Sequence, residues 1–408
     1  MDQKSSSRFL DRRTAPHITT LILLAGLSAL AMNIFLPSLP GMTAYFQTDY
    51  RLMQLSVALY LGVNAVLQLI VGPISDRWGR RPVVLWGVAI FLLATLGCVL
   101  AENVYVFLTF RMMQATIVAA MVLSRAIVRD MVPEAQAASM IGYVTMGMAV
   151  VPMIGPAIGG VLDAAFGWQS NFWLLLALGA LVLWITWCDL GETAPLTGRT
   201  MAQQFREYPD LFASPRFWGY ALASGLSSGS FFAYLGGAPF VGDQVFGLPP
   251  EILGVYFGAP AIGYMLGNYI SGRFSVRIGI NRMVYWGTMI NAAGIALNLA
   301  LFYGGFGTAI SFFGLMTFMG LGNGMTIPNA TAGALSVRPH LAGTASGLAG
   351  ALMIGLGAAL SALAGAMLTP QTGAYPLLWI MLSTGLLAII AIIMVMRRER
   401  HLSYGGSP

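Results

Sequence analysis

The sequence predicts an all-α membrane protein, with twelve transmembrane helices forming two pseudo-symmetric six-helix bundles. Three observations predict it. The 408 residues are 57% hydrophobic and 9% charged, against roughly 25% charged in a soluble domain. Such a chain cannot clothe a water-facing surface, and it is too apolar to stay disordered. Its apolar residues fall in runs of about twenty, the length that carries a helix across hydrocarbon, and the alternation of a barrel strand is absent. Finally, the second half repeats the first at an offset of 200. Gly72, Arg77, Gly79, Val84, Trp86, Gly87, Gly147, Met153, Ile154 and Gly155 recur as Gly272, Arg277, Gly279, Val284, Trp286, Gly287, Gly347, Met353, Ile354 and Gly355. Duplicated halves place a substrate site near the midplane between them and work by rocking.

Polar punctuation sets the spans at 18–39, 52–75, 82–100, 104–128, 136–162, 168–188, 217–239, 250–271, 281–303, 308–328, 341–367 and 374–396. The first follows Arg8, Arg12 and Arg13, as a secretory signal would. It continues from Ile18 to Leu36 and ends in Pro37-Ser38-Leu39-Pro40, longer than the ~7–15-residue core of a signal, so it reads as a retained helix. The polar stretch 189–216 separates six spans from six. The division is thus a tail (1–17), a bundle (18–188), a linker (189–216), a second bundle (217–396) and a tail (397–408). All Lys and Arg except Arg51 and Arg111 fall on or near one side, which makes that side, with both termini, cytoplasmic. The net charge of +6 therefore reads as topology and not as nucleic-acid binding. Cys98 and Cys188 lie in separate apolar runs, and the three histidines lie at segment ends. No metal spacing, hydrolase signature or nucleotide loop occurs, so neither an enzyme nor a cofactor is expected.

In chain order, Asn33 is a polar residue within the first span. The second carries Ser56, Tyr60, Asn64 and Gln68 at successive i, i+4 positions, a polar stripe on one face. That stripe either lines a cavity or bonds a neighbouring helix. The loop after it reads Gly72-Pro-Ile-Ser-Asp76-Arg77-Trp-Gly79-Arg80-Arg81-Pro82. Asp76 at a helix end opposes the helix dipole and needs a cation or another helix's N-terminus; Arg80 lies four residues on, and Gly79 permits the turn. Val276 and Ile280 occupy the acid and arginine positions in the second copy, leaving one charged gate. Arg111, with Gln114, begins the fourth span on one face with Ala115, Val118, Val122, Arg125 and Arg129. A charge inside the membrane faces a polar interior, where Arg111 could bind a substrate anion, hold a carboxylate's charge state or anchor carbonyls. In the fifth span Gly155 and Gly159 share a face for close helix approach, Pro156 bends the helix, and Gly160 follows. Phe231, Phe232 and Tyr234, then Tyr256, Phe257 and Tyr264, then Asn323 decorate the second half. With 24 methionines they suit an adaptable apolar pocket.

The loop resembles the G-x-x-x-D-R-x-G-R-R/K signature of the major facilitator superfamily. The resemblance implies a cytoplasmic latch of Asp76, Arg77, Gly79 and Arg80 with the acid ending helix 4, here Asp130, against the start of helix 11 near Leu341. Arg111-x-x-Gln114 resembles the family's R-x-x-Q-G, with Ala115 replacing the glycine. Gly155-Pro156-Ala-Ile-Gly159-Gly160 resembles the G-P-x-x-G-G of its drug:proton antiporter branches, which implies export. Arg125 to Asp130, Met32 to Pro40, Phe232 to Val241, Pro328-Asn329-Ala330 and Ala342 to Ser346 resemble the bicyclomycin/chloramphenicol resistance (Bcr/CflA) branch. That branch carries an acid where this chain has Asn33, which does not titrate. None of the fifteen acids falls clearly at mid-depth: Asp189 is grouped with tails and loops, Glu134 with the cytoplasmic rim, and Asp163 with the outer rim. Either a rim acid such as Asp163 or Asp130 carries the proton, or coupling differs.

The expectation is a bacterial inner-membrane exporter of small, largely apolar compounds, acting as a monomer by proton antiport. Asn33, Tyr60, Asn64, Arg111, Gln114, Tyr234 and Asn323 would line its cavity. The alternative is a metabolite facilitator or symporter of the same fold.

Overall fold

The computed structural model describes residues 8–131, 140, 144, 151, 154–193, 213–337 and 342–404. The readings made on Glu134, Gly147, Pro152, Met153, Arg338, His340, Leu341 and the central linker 194–212 lie outside these. The helices are α1 (Ile18–Asn33), α2 (Tyr50–Trp78), α3 (Arg80–Val99), α4 (Val104–Met113, resumed as Val118–Met131), α5 (Ile154–Phe166) and α6 (Gln169–Asp189). The second set is α7 (Pro215–Phe240), α8 (Pro250–Tyr256, resumed as Gly258–Ile278), α9 (Ile280–Tyr303), α10 (Ala309–Ser336), α11 (Ala342–Met367) and α12 (Tyr375–Tyr404). Among the described residues nine helices are long and apolar enough to cross a membrane. The glycine- and serine-rich α7 is more polar, but Ser224, Ser227, Ser228 and Ser230 are buried against neighbours, so lipid does not meet them.

The eighth, tenth and twelfth spans run seven to eight residues past the bounds read from sequence, to Ile278, Ser336 and Tyr404, and two further differences change the path of the chain. The first span continues past Asn33 through a tight turn, Leu36–Ser38, and a short helix, Leu39–Tyr45. Pro37 and Pro40 sit in first-turn positions, where a missing N–H costs nothing, so they redirect the chain without ending it. The fourth span, read as one uninterrupted face, tightens into a 3₁₀ turn at Gln114–Ile117, which rotates Val118 onward relative to Arg111.

Within the first bundle α1 packs on α4 and α6, and α3 on α4 and α6; in the second, α10 packs on α8 and α9, and α7 on α11 and α12. The bundles meet chiefly where α2 lies along α11. With twelve helices among the described residues, the start of α1 and the end of α12 fall on one face, here the terminal face; the opposite is the distal face. Asp189, grouped with the tails and loops from sequence, is fully buried at the end of α6. It accepts from Leu10 N (2.8 Å), His17 N (2.8 Å) and Thr20 Oγ1 (2.6 Å). The carboxylate thus serves His17 N and Thr20 Oγ1 at the start of α1 and Leu10 N in the segment before it, tying the first helix of the bundle to the last.

Candidate functional site

Arg111 sits seven residues into α4, about 10 Å along the axis from the distal end. It is 1% exposed. Its Cζ lies 4.3 Å from the centre of the Phe35 ring and 4.1 Å from that of Tyr60. Desolvated ring faces stabilise a guanidinium by about 2 kcal/mol or more, comparable to the ~2.5–3.5 kcal/mol that a mid-membrane charge costs on insertion scales. Arg111 Nε donates to the Ser56 carbonyl at 3.3 Å, and one terminal nitrogen donates to Gln114 Oε1 at 2.7 Å. Gln114 Nε2 in turn donates to Thr95 Oγ1 at 2.8 Å. Gln114 is therefore spent at both ends, holding Arg111 in place. The other guanidinium nitrogen, the Tyr60 hydroxyl and the Ser56 hydroxyl are buried without partners among the described residues. Among the described residues no carboxylate makes an ion pair with Arg111.

Of the seven residues expected to share a cavity, the structure gathers Tyr60, Arg111 and Gln114. Asn64, one turn further along α2, accepts from Gln68 Nε2 at 2.7 Å. Asn33 donates to the Ala29 carbonyl at 2.7 Å, and its Oδ1 has no partner among the described residues. Tyr234 and Asn323 lie in the second bundle: Tyr234 packs on Phe257 and Phe313, and Asn323 accepts from Asn291 at 3.2 Å. All seven are buried in this state.

The charged turn between α2 and α3 is assembled on the terminal face. Arg80 contacts Asp76 at 2.6 Å and Asp130 at 3.1 Å, and also reaches Ser75 Oγ. Arg77 is exposed. Gly79 has φ +95°, and a Cβ there would collide with the Glu192 carboxylate. That carboxylate accepts from Arg80 N at 2.8 Å and Arg81 N at 3.3 Å, capping the dipole of α3. Arg81 donates to the Leu190 carbonyl and lies over Trp187. The turn thus joins α2, α3, α4 and the end of α6. Its copy keeps the backbone, with Gly279 at φ +89°, but no described residue lies within 4 Å of a Cβ built there. The contact expected between the latch and the start of α11 falls at residues outside those described.

On the distal face the α5 glycines serve two partners. A Cβ on Gly155 would meet Leu30, and one on Gly159 would collide with the Ile34 carbonyl of the segment after α1. Gly160 faces the other bundle, against the Pro250 carbonyl, and Gly254 of α8 faces the Pro156 carbonyl. Cross-bundle hydrogen bonds reinforce this face: Gln54 Nε2 donates to Ser361 O at 2.6 Å and Oγ at 2.7 Å, and the Tyr50 hydroxyl donates to Gly236 O at 2.8 Å. Asp163 shares a hydrogen bond with Ser38 and lies within electrostatic reach of Glu251.

Sequence reasoning missed Gln54, Glu192 and Asp189. Gln54 is off the polar stripe, and the two acids resemble ordinary loop charges until α6 is folded beside α1 and α3. It also missed the terminal-face network of the second bundle. There Arg216 meets Glu399 at 2.5 Å, and Tyr220 lies 2.6 Å from Asn281 Oδ1.

Two six-helix bundles around buried polar side chains define a multi-pass membrane transporter. Residues 21–361 match the Major Facilitator Superfamily, and the chain belongs to it. It is 32% identical over 379 residues to the Bacillus subtilis (strain 168) protein "Uncharacterized MFS-type transporter YdgK", covering 90% of this chain and 92% of that one. It is 31% identical over 396 residues to Escherichia coli (strain K12) "Multidrug resistance protein D", covering 96% and 98%. Among solved structures, a D-xylose-proton symporter superposes with a TM-score of 0.73 at 17% identity, covering 93% of this chain and 96% of that one. That likeness speaks for the fold alone.

Proposed function

We propose that the chain is an alternating-access secondary transporter that exports small, largely apolar compounds, with amphenicol- and bicyclomycin-like molecules as its substrate class and proton exchange as its drive. The observation that carries this reading is the match along almost the entire chain to a relative named for multidrug resistance. In this reading the protein lies in a bacterial inner membrane with the terminal face in the cytoplasm, because the basic residues gather there. It acts as a monomer, without cofactor or nucleic acid. The bundles 18–188 and 217–396 rock about the buried polar residues, joined by 189–216 and flanked by tails 1–17 and 397–408. Asp76, Gly79, Arg80 and Asp130 form the cytoplasmic gate, with Arg77 at its exposed edge. Gly155, Pro156, Gly159 and Gly160 form the packing surface of α5. Asn33, Tyr60, Asn64, Arg111, Gln114, Tyr234 and Asn323 meet substrate as the bundles part. Asp163 is the rim acid best placed for the proton, since Asp130 is engaged by Arg80.

Expression in an efflux-deficient bacterial strain tests this. Raised minimum inhibitory concentrations for chloramphenicol or bicyclomycin, lost in Arg80→Ala, are expected. Unchanged susceptibility across a chemically varied panel, with the protein present in the membrane, overturns it. One observation favours a second reading, a facilitator or symporter without proton antiport: Asn33 replaces the acid that the drug:proton branch carries. Flux into reconstituted vesicles that ignores an imposed pH gradient would select it.

A further inference from the structure

Asp189 and Arg111 are the charged side chains buried to nearly full depth among the described residues, and they are treated oppositely. Asp189 receives three hydrogen bonds. Among the described residues Arg111 keeps an unpartnered terminal nitrogen, and the hydroxyls of Ser56, whose carbonyl it engages, and of Tyr60, whose ring it faces, are unpartnered too. Guanidinium does not deprotonate to escape burial, so the charge stands uncompensated by any carboxylate of the described chain. Asn33 cannot supply one. Nor is the cluster a by-product of duplication, since Tyr60, Arg111 and Gln114 correspond at the repeat offset to Pro260, Ser311 and Gly314. The Phe35 and Tyr60 rings lie against the guanidinium, their centres 4.3 and 4.1 Å from Cζ, so the cluster offers one cation and two hydroxyls among aromatic surfaces.

We propose that Arg111, with the Ser56 and Tyr60 hydroxyls, receives the anionic group of a transported small aromatic or amphipathic organic anion, such as a carboxylate or sulfonate. The cargo then brings the negative charge that the protein withholds at Asn33. This rests on the transport reading and adds an anionic class to the neutral compounds named there. It also adds a driving force for such a cargo beside proton exchange. An inside-negative potential expels a monovalent anion, shifting its equilibrium distribution about fifty-fold per 100 mV, so export needs no titrating acid beside Arg111.

The test uses the purified full chain in phosphatidylcholine vesicles, with naphthalenesulfonate, its neutral sulfonamide and chloramphenicol as probes. Wild-type protein should move the sulfonate faster than the sulfonamide by about ten-fold or more, the worth of a charge-assisted hydrogen bond. An inside-negative potential imposed with potassium and valinomycin should accelerate sulfonate exit. Arg111→Gln should abolish the preference, and Arg111→Lys should retain part of it. Equal movement of sulfonate and sulfonamide overturns the proposal on wild-type protein alone, whatever the folding of the variants, and leaves the transport reading standing if chloramphenicol moves. No movement of any probe overturns both.

Discussion

Gly160→Ala should open the distal face. A Cβ at Gly160 would lie 2.8 Å from the Pro250 carbonyl carbon and 3.0 Å from Glu251 Cα, both backbone atoms of the other bundle. Backbone on both sides cannot yield as a flexible side chain would. Overpacking of this kind costs about 1–3 kcal/mol. The clash exists only while the bundles touch here, so opening relieves it. The ratio of distal-open to distal-closed molecules should therefore rise about five- to 150-fold. Gly159→Ala differs by one position and should act differently. Its Cβ would lie 2.8 Å from the Ile34 carbonyl carbon, within the same bundle, so that cost stays in both states and lowers stability. Gly62→Ala, with nothing within 4 Å, is the control. Ala364 is buried in this state, and a cysteine there, in a background lacking Cys98 and Cys188, reports opening through maleimide labelling from the distal side. Labelling should rise at least about five-fold in Gly160→Ala, matching the lower bound of the overpacking cost, and stay near wild type in Gly159→Ala. Faster unfolding of Gly160→Ala with unchanged labelling would refute the reasoning.

Three further outcomes follow from the contacts. Gln54→Leu removes two hydrogen bonds to Ser361 across the bundles and should raise Ala364→Cys labelling, consistent with a net worth of about 1 kcal/mol per bond. Asp76→Ala and Asp130→Ala should each lower thermal stability by about 1–2 kcal/mol, a part-exposed share of the ~3–5 kcal/mol lost when one partner of a buried pair is removed. Both act through Arg80, so in an Arg80→Ala background neither should cost more than a few tenths; full additivity would exclude a shared latch. Asp189→Ala leaves Leu10 N, His17 N and Thr20 Oγ1 without their acceptor and should cost about 3 kcal/mol. Trypsin should then cut more readily at Arg12 and Arg13, which a thermal melt and a digestion time course would check together.

The crossings and the repeat were legible because lipid imposes a length and a polarity that any stretch of chain must satisfy by itself. The turn at Gly79 was legible for a similar reason, since a left-handed φ next to an acid and an arginine four residues apart is local information. The candidate site was legible only in part. Arg111, Tyr60 and Gln114 stood out as polar residues in apolar helices, and they do meet. Asn64, Tyr234 and Asn323 stood out equally, yet Asn64 bonds Gln68, Asn323 bonds Asn291 and the Tyr234 ring packs on Phe257 and Phe313, because polarity marks a residue as inward-facing without saying which neighbour it faces.

Composition and run lengths by themselves determined a twelve-helix membrane chain, the repeat at 200 gave it a transporter's duplicated halves, and one of the two matching turns kept an acid and an arginine four residues apart. Tertiary structure alone decided that Gly159 packs on α1 while Gly160 packs on the opposite bundle, that Asp189 and Glu192 cap helices far away in sequence, and that Arg111 has rings on both sides and no acid among the described residues. The first set follows from how each segment meets its solvent. The second depends on which segments become neighbours, and close packing settles that only when all of them are in place.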